Sequence, residues 1–188
     1  MKKTIAIICI LITSAIVAFC WVNIDTAITK KSHPLQYSEY VEKYSAEYAV
    51  PKELVYAVIK TESKFKSDAV SRKGAVGLMQ MTPDTFIWLC EKNGENNTDA
   101  NLLYTPEVNI KYGTMYLGML YTQFESWETA LAAYNAGPKT VKEWLNDDNI
   151  SKDGVLVNIP YKETDKYIKK VINAKNIYKE LYFEDENK

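Results

Sequence analysis

Helix starts are marked clearly along this chain, because proline directly follows a capping or turn residue at three separate points. Proline suits the first turn of a helix, where the N–H group that it lacks has no partner inside the helix. Two further starts are marked by Pro51, a first-turn proline, and by Ser126, a capping residue. The three pairs are Thr82-Pro83, Thr105-Pro106 and Gly137-Pro138. Starts at this spacing predict a bundle of about six or seven short helices.

The remaining pattern supports an all-α, predominantly helical domain. Apolar residues recur at helical spacing from about Glu163 to Tyr182, which predicts a long final helix. Residues 155–159 are the only short stretch that resembles a strand. We therefore expect a single domain over residues 37–183, followed by a solvated acidic tail at residues 184–188.

Composition argues against several classes of function. The 188 residues include 23 basic and 24 acidic side chains, and no run of Lys or Arg is long enough for a nucleic-acid interface. The single histidine, His33, and the three cysteines lack the paired spacing of a zinc site or a disulfide framework. We expect no nucleic-acid partner, no metal and no cofactor. Cys90 lies in an apolar run and is expected to be a buried thiol.

The N-terminal segment has the pattern of an export signal. Two lysines precede the uncharged, apolar stretch Thr4–Val22, which approaches the roughly 20 residues that a membrane-crossing helix needs. The lysines predict a cytoplasmic N-terminus and an external C-terminal domain. Residues 1–22 are expected to be a signal anchor or a signal peptide, and residues 23–36 a linker. The domain is predicted to be extracytoplasmic, either anchored by residues 4–22 or secreted after cleavage.

Glu62 is the candidate for acid chemistry. It follows Val58 and Ile59 at helical spacing in the helix that opens at Pro51, so its carboxyl shares their apolar face. Partial desolvation there would raise the pKa of the carboxyl and keep it protonated near neutral pH, as a general acid for a glycosidic oxygen requires. The alternative is an ordinary surface glutamate at a helix end.

Two other segments carry groups that suit a sugar. Gly74–Gly77 forms a tight turn before Gln80, whose amide could hydrogen-bond an N-acetyl or hydroxyl group. Further along, Tyr134 and Asn135 precede the helix stop at Gly137 and offer a ring and an amide at one point. Each segment also has a purely structural interpretation. Gln80 would be a core or surface glutamine whose hydrogen bonds are satisfied by the protein itself, and the segment with Tyr134 would be the end of a helix with a tyrosine in the core.

Three groups of residues, which we call blocks, follow one another between roughly residues 40 and 180. They are Glu62-Ser63, Phe65, Ala69, Ser71, Gly74-Ala75, Gly77-Leu78-Met79-Gln80, Pro83 and Thr85; then Ala133-Tyr134-Asn135-Ala136-Gly137-Pro138; then Glu163-Thr164 and Tyr167. Together these blocks resemble the soluble lytic transglycosylase family. The resemblance implies a lysozyme-like catalytic domain that cleaves peptidoglycan between N-acetylmuramic acid and N-acetylglucosamine. Asp165 departs from the family, which often has a basic residue there.

The resemblance also implies a role for each matched residue. Glu62 would be the catalytic acid and base. Six further residues would bind the substrate. Ser71 and Gln80 would contact the sugar N-acetyl and neighbouring groups, and Tyr134 and Asn135 would line the cleft near the cleaved bond. Glu163 and Tyr167 would complete the cleft wall.

The implied reaction uses one carboxylate, because no second acid stands in a comparable setting within the block around Glu62. Glu62 would protonate the leaving oxygen and then deprotonate O6 of muramic acid, which closes on C1 and leaves a 1,6-anhydro end. A muramidase on the same scaffold and a non-catalytic wall-binding or assembly protein stay open as alternatives. A wall-spanning secretion or conjugation apparatus stays open as a partner besides the glycan strands and the membrane.

Overall fold

The computed structural model describes residues 2–95 and 98–184, which fold mainly as helices. The elements in chain order are α1 (Lys2–Ser32), α2 (Ser38–Glu47), α3 (Lys52–Glu62), α4 (Pro83–Lys92), a 3-10 helix (Ala100–Tyr104), α5 (Pro106–Phe124), α6 (Trp127–Ala136), α7 (Pro138–Leu145), β1 (Ser151–Lys152), β2 (Val155–Leu156), α8 (Lys162–Tyr178) and a π-helical turn (Lys179–Phe183). The predicted all-α class is confirmed, and α2 to α8 form the expected bundle.

The first compact unit ends at Pro34 and consists mainly of α1. Within the described residues, the stretch Ile12–Ser32 has the length and the mean hydropathy of 1.5 that a membrane-crossing helix shows, and signal sequences share these properties. The predicted linker 23–36 is helical as far as Ser32, because it has no glycine and no proline before Pro34. Its role as a linker stays a prediction.

Helix α3 is the central helix of the second unit, which begins at Leu35. Every residue from Leu54 to Ile59 is at most 1% exposed, so the helix is enclosed on all sides. Helix α8 packs antiparallel to it. Tyr56 stacks on Tyr178, near the C-terminal end of α8, at 5.3 Å between ring centroids, and Glu62 at the C-terminal end of α3 lies beside Tyr167 in the first half of α8. The C-terminal end of α3 is thereby held beside the N-terminal end of α8.

A second apolar cluster joins α4, the 3-10 helix and α5. Its aromatic contact is edge-to-face, with the rings of Phe86 and Tyr112 separated by 4.8 Å between centroids. Cys90 is fully buried in this cluster, which confirms the expected core thiol. Val76 and Met81 anchor the segment before α4 in the same cluster. The chain between α3 and α4 is therefore held by packing although it contains no helix.

The predicted helix starts are confirmed, and the capping chemistry is visible at two of them. The Thr82 hydroxyl accepts the backbone N–H of Thr85 at 3.3 Å, at the start of α4. The Ser126 hydroxyl accepts the backbone N–H of Thr129 at 3.3 Å, at the start of α6. Prolines occupy the first turn of α4, α5 and α7.

Two boundaries near the C-terminal end differ from the prediction. Helix α8 ends at Tyr178, and the chain continues to Phe183 as a π-helical turn rather than as an α-helix to Tyr182. The predicted strand at 155–159 is only the short β2, which pairs with β1 in an antiparallel hairpin. The polar residues of β1 give no strand pattern, so the sequence does not indicate it. Residues 185–188 of the expected tail lie outside the described residues.

Candidate active site

A cleft of about 360 Å³ opens where α3, α6 and α8 meet. It brings together the predicted catalytic residue and five of the six predicted substrate-binding residues, although these come from distant parts of the sequence. The lining residues are Glu62, Ser71, Arg72, Lys73, Ala75, Gln80, Thr82, Tyr134, Asn135 and Glu163. The cleft therefore contains one or more residues from each of the three sequence blocks.

A second cavity of about 310 Å³ continues the cleft, because Gln80, Thr82, Tyr134 and Asn135 line both. It extends past Tyr116 to the start of α7. The two together form a groove, which suits a polymeric ligand. A larger cavity of about 550 Å³ lies at the N-terminal end of α3 and contains none of the predicted site residues.

Glu62 is the last residue of α3, and its side chain is partly buried at the wall of the cleft. Burial raises the pKa of the Glu62 carboxyl to about 7, and the nearby Tyr167 hydroxyl opposes this shift. The chain then reverses sharply, since Lys64 and Phe65 have φ angles of 53° and 66°. A carboxyl with this pKa is protonated in about half of the molecules at pH 7, so it can both donate and accept a proton.

Tyr167 contacts Glu62 from inside the protein. It is 7% exposed and is not among the residues that line the cleft. Its hydroxyl makes no hydrogen bond of normal geometry to the described residues, yet it lies close enough to Glu62 to lower the pKa of that carboxyl. Burial and the nearby carboxylate raise the pKa of Tyr167 well above its ordinary value. The hydroxyl therefore stays protonated and can donate to the ionised form of Glu62.

Ser71 and Gln80 are fixed by hydrogen bonds to the backbone of the segment between α3 and α4. The Ser71 hydroxyl oxygen accepts the N–H of Ala75 at 3.0 Å, which leaves its own hydrogen available to a ligand. The Gln80 Nε2 donates to the carbonyl oxygens of Ala69 at 3.1 Å and Gly77 at 3.0 Å. The Gln80 Oε1 is then the atom available as an acceptor, which suits the N–H of an N-acetyl group.

Tyr134 and Asn135 join α6 to the other walls of the cleft. The Tyr134 hydroxyl donates to the carbonyl oxygen of Met79 at 2.8 Å, and burial raises the pKa of this phenol well above its ordinary value. The Asn135 Oδ1 accepts the hydroxyl of Thr164, a buried residue at the start of α8, at 2.8 Å. The Asn135 Nδ2 is thereby left as the atom that can donate to a ligand. Because the Tyr134 hydroxyl is used in its bond to Met79, the Tyr134 side chain forms part of the cleft wall and is not a proton donor to a ligand.

Asn109 supports the site but has no counterpart among the residues predicted from sequence. It is 1% exposed in α5, and its Oδ1 accepts the backbone N–H of Met79 at 2.7 Å. Its Nδ2 donates to the carbonyl oxygens of Val76 at 2.9 Å and Leu103 at 2.8 Å. One side chain thus fixes the backbone immediately before Gln80. In the sequence, Asn109 is only an amide in an otherwise apolar helical stretch, and this pattern does not indicate which backbone groups it binds.

Glu163 adds a second carboxyl to the cleft. It lies in the first turn of α8, is exposed, and lines the same cavity as Glu62. The block around Glu62 does not include it, because it comes from the last block of the sequence. The geometry therefore brings two acidic side chains to one groove, one partly buried and one exposed.

A helical bundle whose enclosed central helix ends in a partly buried carboxyl at a groove defines a lysozyme-like domain. The sequence model described as the transglycosylase SLT domain matches residues 39–156, and the chain belongs to this family.

Individual relatives agree with this family membership. The chain is 34% identical over 143 residues to the soluble lytic murein transglycosylase of Escherichia coli strain K12, covering 74% of this chain and 22% of that protein. It is 28% identical over 178 residues to the membrane-bound lytic murein transglycosylase C of Pectobacterium atrosepticum, covering 81% of this chain and 48% of that one. The chain therefore spans between about a fifth and a half of these relatives.

A solved structure with a similar fold is the lytic transglycosylase Slt of Pseudomonas aeruginosa, in a glutamate-to-glutamine mutant described as inactive. The TM-score is 0.71 at 32% sequence identity, and the match covers 79% of this chain and 24% of that one.

Proposed function

We propose that this chain is a peptidoglycan lytic transglycosylase that cleaves the β-1,4 bond between N-acetylmuramic acid and N-acetylglucosamine. The observation that carries the proposal is the Glu62 carboxyl, partly buried at the wall of the groove with its pKa raised to about 7. Family membership supports the substrate and the reaction, as do the relatives named lytic murein transglycosylases. The inactive glutamate-to-glutamine mutant of a structural relative supports the dependence on one carboxyl.

In this mechanism, Glu62 is the only acid and base. Its protonated carboxyl donates to the bridging oxygen while the bond from C1 to that oxygen breaks, so the leaving sugar departs as an alcohol. The carbonyl oxygen of the muramyl N-acetyl group stabilises C1. The Glu62 carboxylate then removes the proton from O6, and O6 closes on C1 to form the 1,6-anhydro end. Glu62 regains its proton and no water is consumed.

The other cleft residues bind and orient the glycan in this proposal. The Gln80 Oε1 accepts the N–H of an N-acetyl group, and the Ser71 hydroxyl donates to a neighbouring sugar oxygen. The Asn135 Nδ2 donates from the opposite wall, and the Tyr134 ring packs near the cleaved bond. Glu163 accepts from sugar hydroxyls at the exposed edge. Holding the bond beside Glu62 supplies the orientation that proton transfer requires.

We also propose that the reaction takes place outside the cytoplasm, with α1 as a membrane anchor or an export signal. Among the side chains that the structure describes in the apolar stretch Ile12–Ser32, none is buried inside the protein, and such a surface is stabilised by an apolar environment. The Pectobacterium relative, which is named membrane-bound, supports an anchor. Service to a secretion or conjugation apparatus stays a prediction from the sequence.

The test is digestion of intact sacculi with mass spectrometry of the products. The full chain is expected to release muropeptides with anhydro ends, each lighter by one water than the reducing form. Glu62→Gln is expected to be at least about 100-fold slower, because general acid catalysis is lost. Glu91→Gln, which removes an exposed carboxyl on α4 outside the groove, serves as the control. An unimpaired Glu62→Gln would contradict the mechanism, and a parent without turnover would favour a binding or assembly protein.

A hydrolytic muramidase is the second candidate, because Glu163 brings a second carboxyl to the cleft. In two-carboxylate glycosidases such a group activates water or attacks C1. If the reaction is that of a transglycosylase, Glu163→Gln lowers kcat/KM by about 10-fold or less and anhydro ends persist. Reducing ends alone from the parent, together with a loss in Glu163→Gln as deep as in Glu62→Gln, would favour the muramidase.

A further inference from the structure

Two cations lie in the groove beside the predicted acid. Arg72, the only arginine in the sequence, and Lys73 line the same cavity as Glu62, and both are exposed. The proposed reaction assigns them no role. Their position at the groove wall distinguishes them from the many lysines on the outer surface.

The backbone that carries these cations is held in one conformation. Ser71 and Ala75 close a turn around them, with the Ser71 N–H donating to the Ala75 carbonyl oxygen at 2.9 Å. The Ser71 hydroxyl accepts the N–H of Lys73 at 3.3 Å, and an antiparallel bridge joins Val70 to Val76 on either side of the turn. The two side chains therefore extend from a fixed base, which reduces the entropy lost when they bind a ligand.

Neither cation has an ion-pair partner in the part of the chain that the structure describes. The acidic residues of the cleft, Glu62 and Glu163, are close enough to line the same cavity but do not pair with Arg72 or Lys73. An arginine guanidinium binds a carboxylate through two parallel hydrogen bonds, and the neighbouring lysine adds a second charge. The pair is thus suited to a carboxylate that arrives with the ligand.

We propose that Arg72 and Lys73 form a recognition site for the carboxylates of the peptides attached to the glycan strand, so that the enzyme prefers peptide-bearing, anionic regions of peptidoglycan. This inference rests on the proposed function, since it assumes a glycan in the groove. Where a peptide is attached, the lactyl carboxyl of N-acetylmuramic acid is used in the amide bond to it, so the free carboxylates of a peptide-bearing strand belong to the peptides. The two cations line the wall of the groove, where a substituent of a bound sugar can reach them.

The test compares two sacculus preparations that differ only in charge. Free amines are acetylated in both, and in one the carboxylates are then converted to neutral methylamides. At low salt the parent chain in mild detergent is expected to cleave the carboxylate form about 5- to 10-fold faster than the amidated form. Arg72→Gln/Lys73→Gln is expected to lose most of this preference. Lys152→Gln/Lys170→Gln removes two exposed charges outside the cleft and should keep it. Raising the salt concentration should reduce the preference of the parent.

A preference that survives in Arg72→Gln/Lys73→Gln, or that disappears equally in the control, would overturn the recognition site while leaving the lytic function intact. If the parent cleaves neither preparation, the proposed function fails instead. Co-sedimentation of the Glu62→Gln chain with each preparation then measures whether the protein binds the carboxylate form more tightly than the amidated form. Equal binding to both preparations would overturn the recognition site independently of catalysis.

Discussion

Glu62 links the pH dependence of activity to its contact with Tyr167. The carboxyl must be protonated to donate, and its pKa is raised to about 7 by burial, so kcat/KM is expected to fall as the pH rises through about 7. Tyr167→Phe removes the hydroxyl that lowers this pKa, so the alkaline limb should move to higher pH. Rate profiles of both proteins on one sacculus preparation measure the shift. An unmoved limb would contradict the effect of the Tyr167 hydroxyl on the pKa of Glu62.

The same carboxyl should make stability depend on pH. The pKa of the Glu62 carboxyl is raised in the folded protein from the ordinary glutamate value of 4.5 to about 7. Its stabilising, protonated form is fully present below about pH 4.5, and that stability is lost as the pH rises through about 7. Glu62→Gln has no such loss, so at about pH 8 it should be more stable than the parent by about 2 to 3 kcal/mol. Urea unfolding at both pH values measures the difference, which should nearly vanish at the lower pH.

The segment between α3 and α4 depends on Gly77 for a close approach. Gly77 has a φ of 80°, and an added Cβ would collide with the Asn109 amide and lie 2.5 Å from the Leu103 carbonyl oxygen. Gly77→Ala is expected to lower the free energy of unfolding by about 3 kcal/mol or more, through strain and steric overlap. Gly74 has a similar φ of 78° but open space around it, so Gly74→Ala should cost about 1 kcal/mol. Equal losses in urea unfolding would argue against the overlap.

Local and distant interactions explain which elements are predictable from sequence. Thr82 and Ser126 mark their helices because each hydroxyl bonds an N–H three residues away. Asn109 gives no such signal, because its partner Met79 is 30 residues away. The position of Tyr167 behind Glu62 likewise depends on the packing of α8 against α3. The sequence therefore predicts the helices and most cleft residues, but not the contacts that orient them.

The chain divides into two compact units, and we expect their roles to be separable. Because the contacts of residues 35–188 form a compact unit of their own, a chain without residues 1–34 is expected to fold and to cleave isolated sacculi within about twofold of the parent rate. It should move from the membrane fraction to the soluble fraction on cell fractionation. Loss of turnover on isolated sacculi, where no membrane is present, would show that α1 contributes to the catalytic unit.

The enclosure of α3 has a mechanical consequence for the reaction. Because Leu54 to Ile59 are buried on all sides, the backbone that carries Glu62 is held in place by close packing. In the proposed reaction, the larger movement is therefore expected of the sugar ring, which brings first its bridging oxygen and then its O6 to the carboxyl.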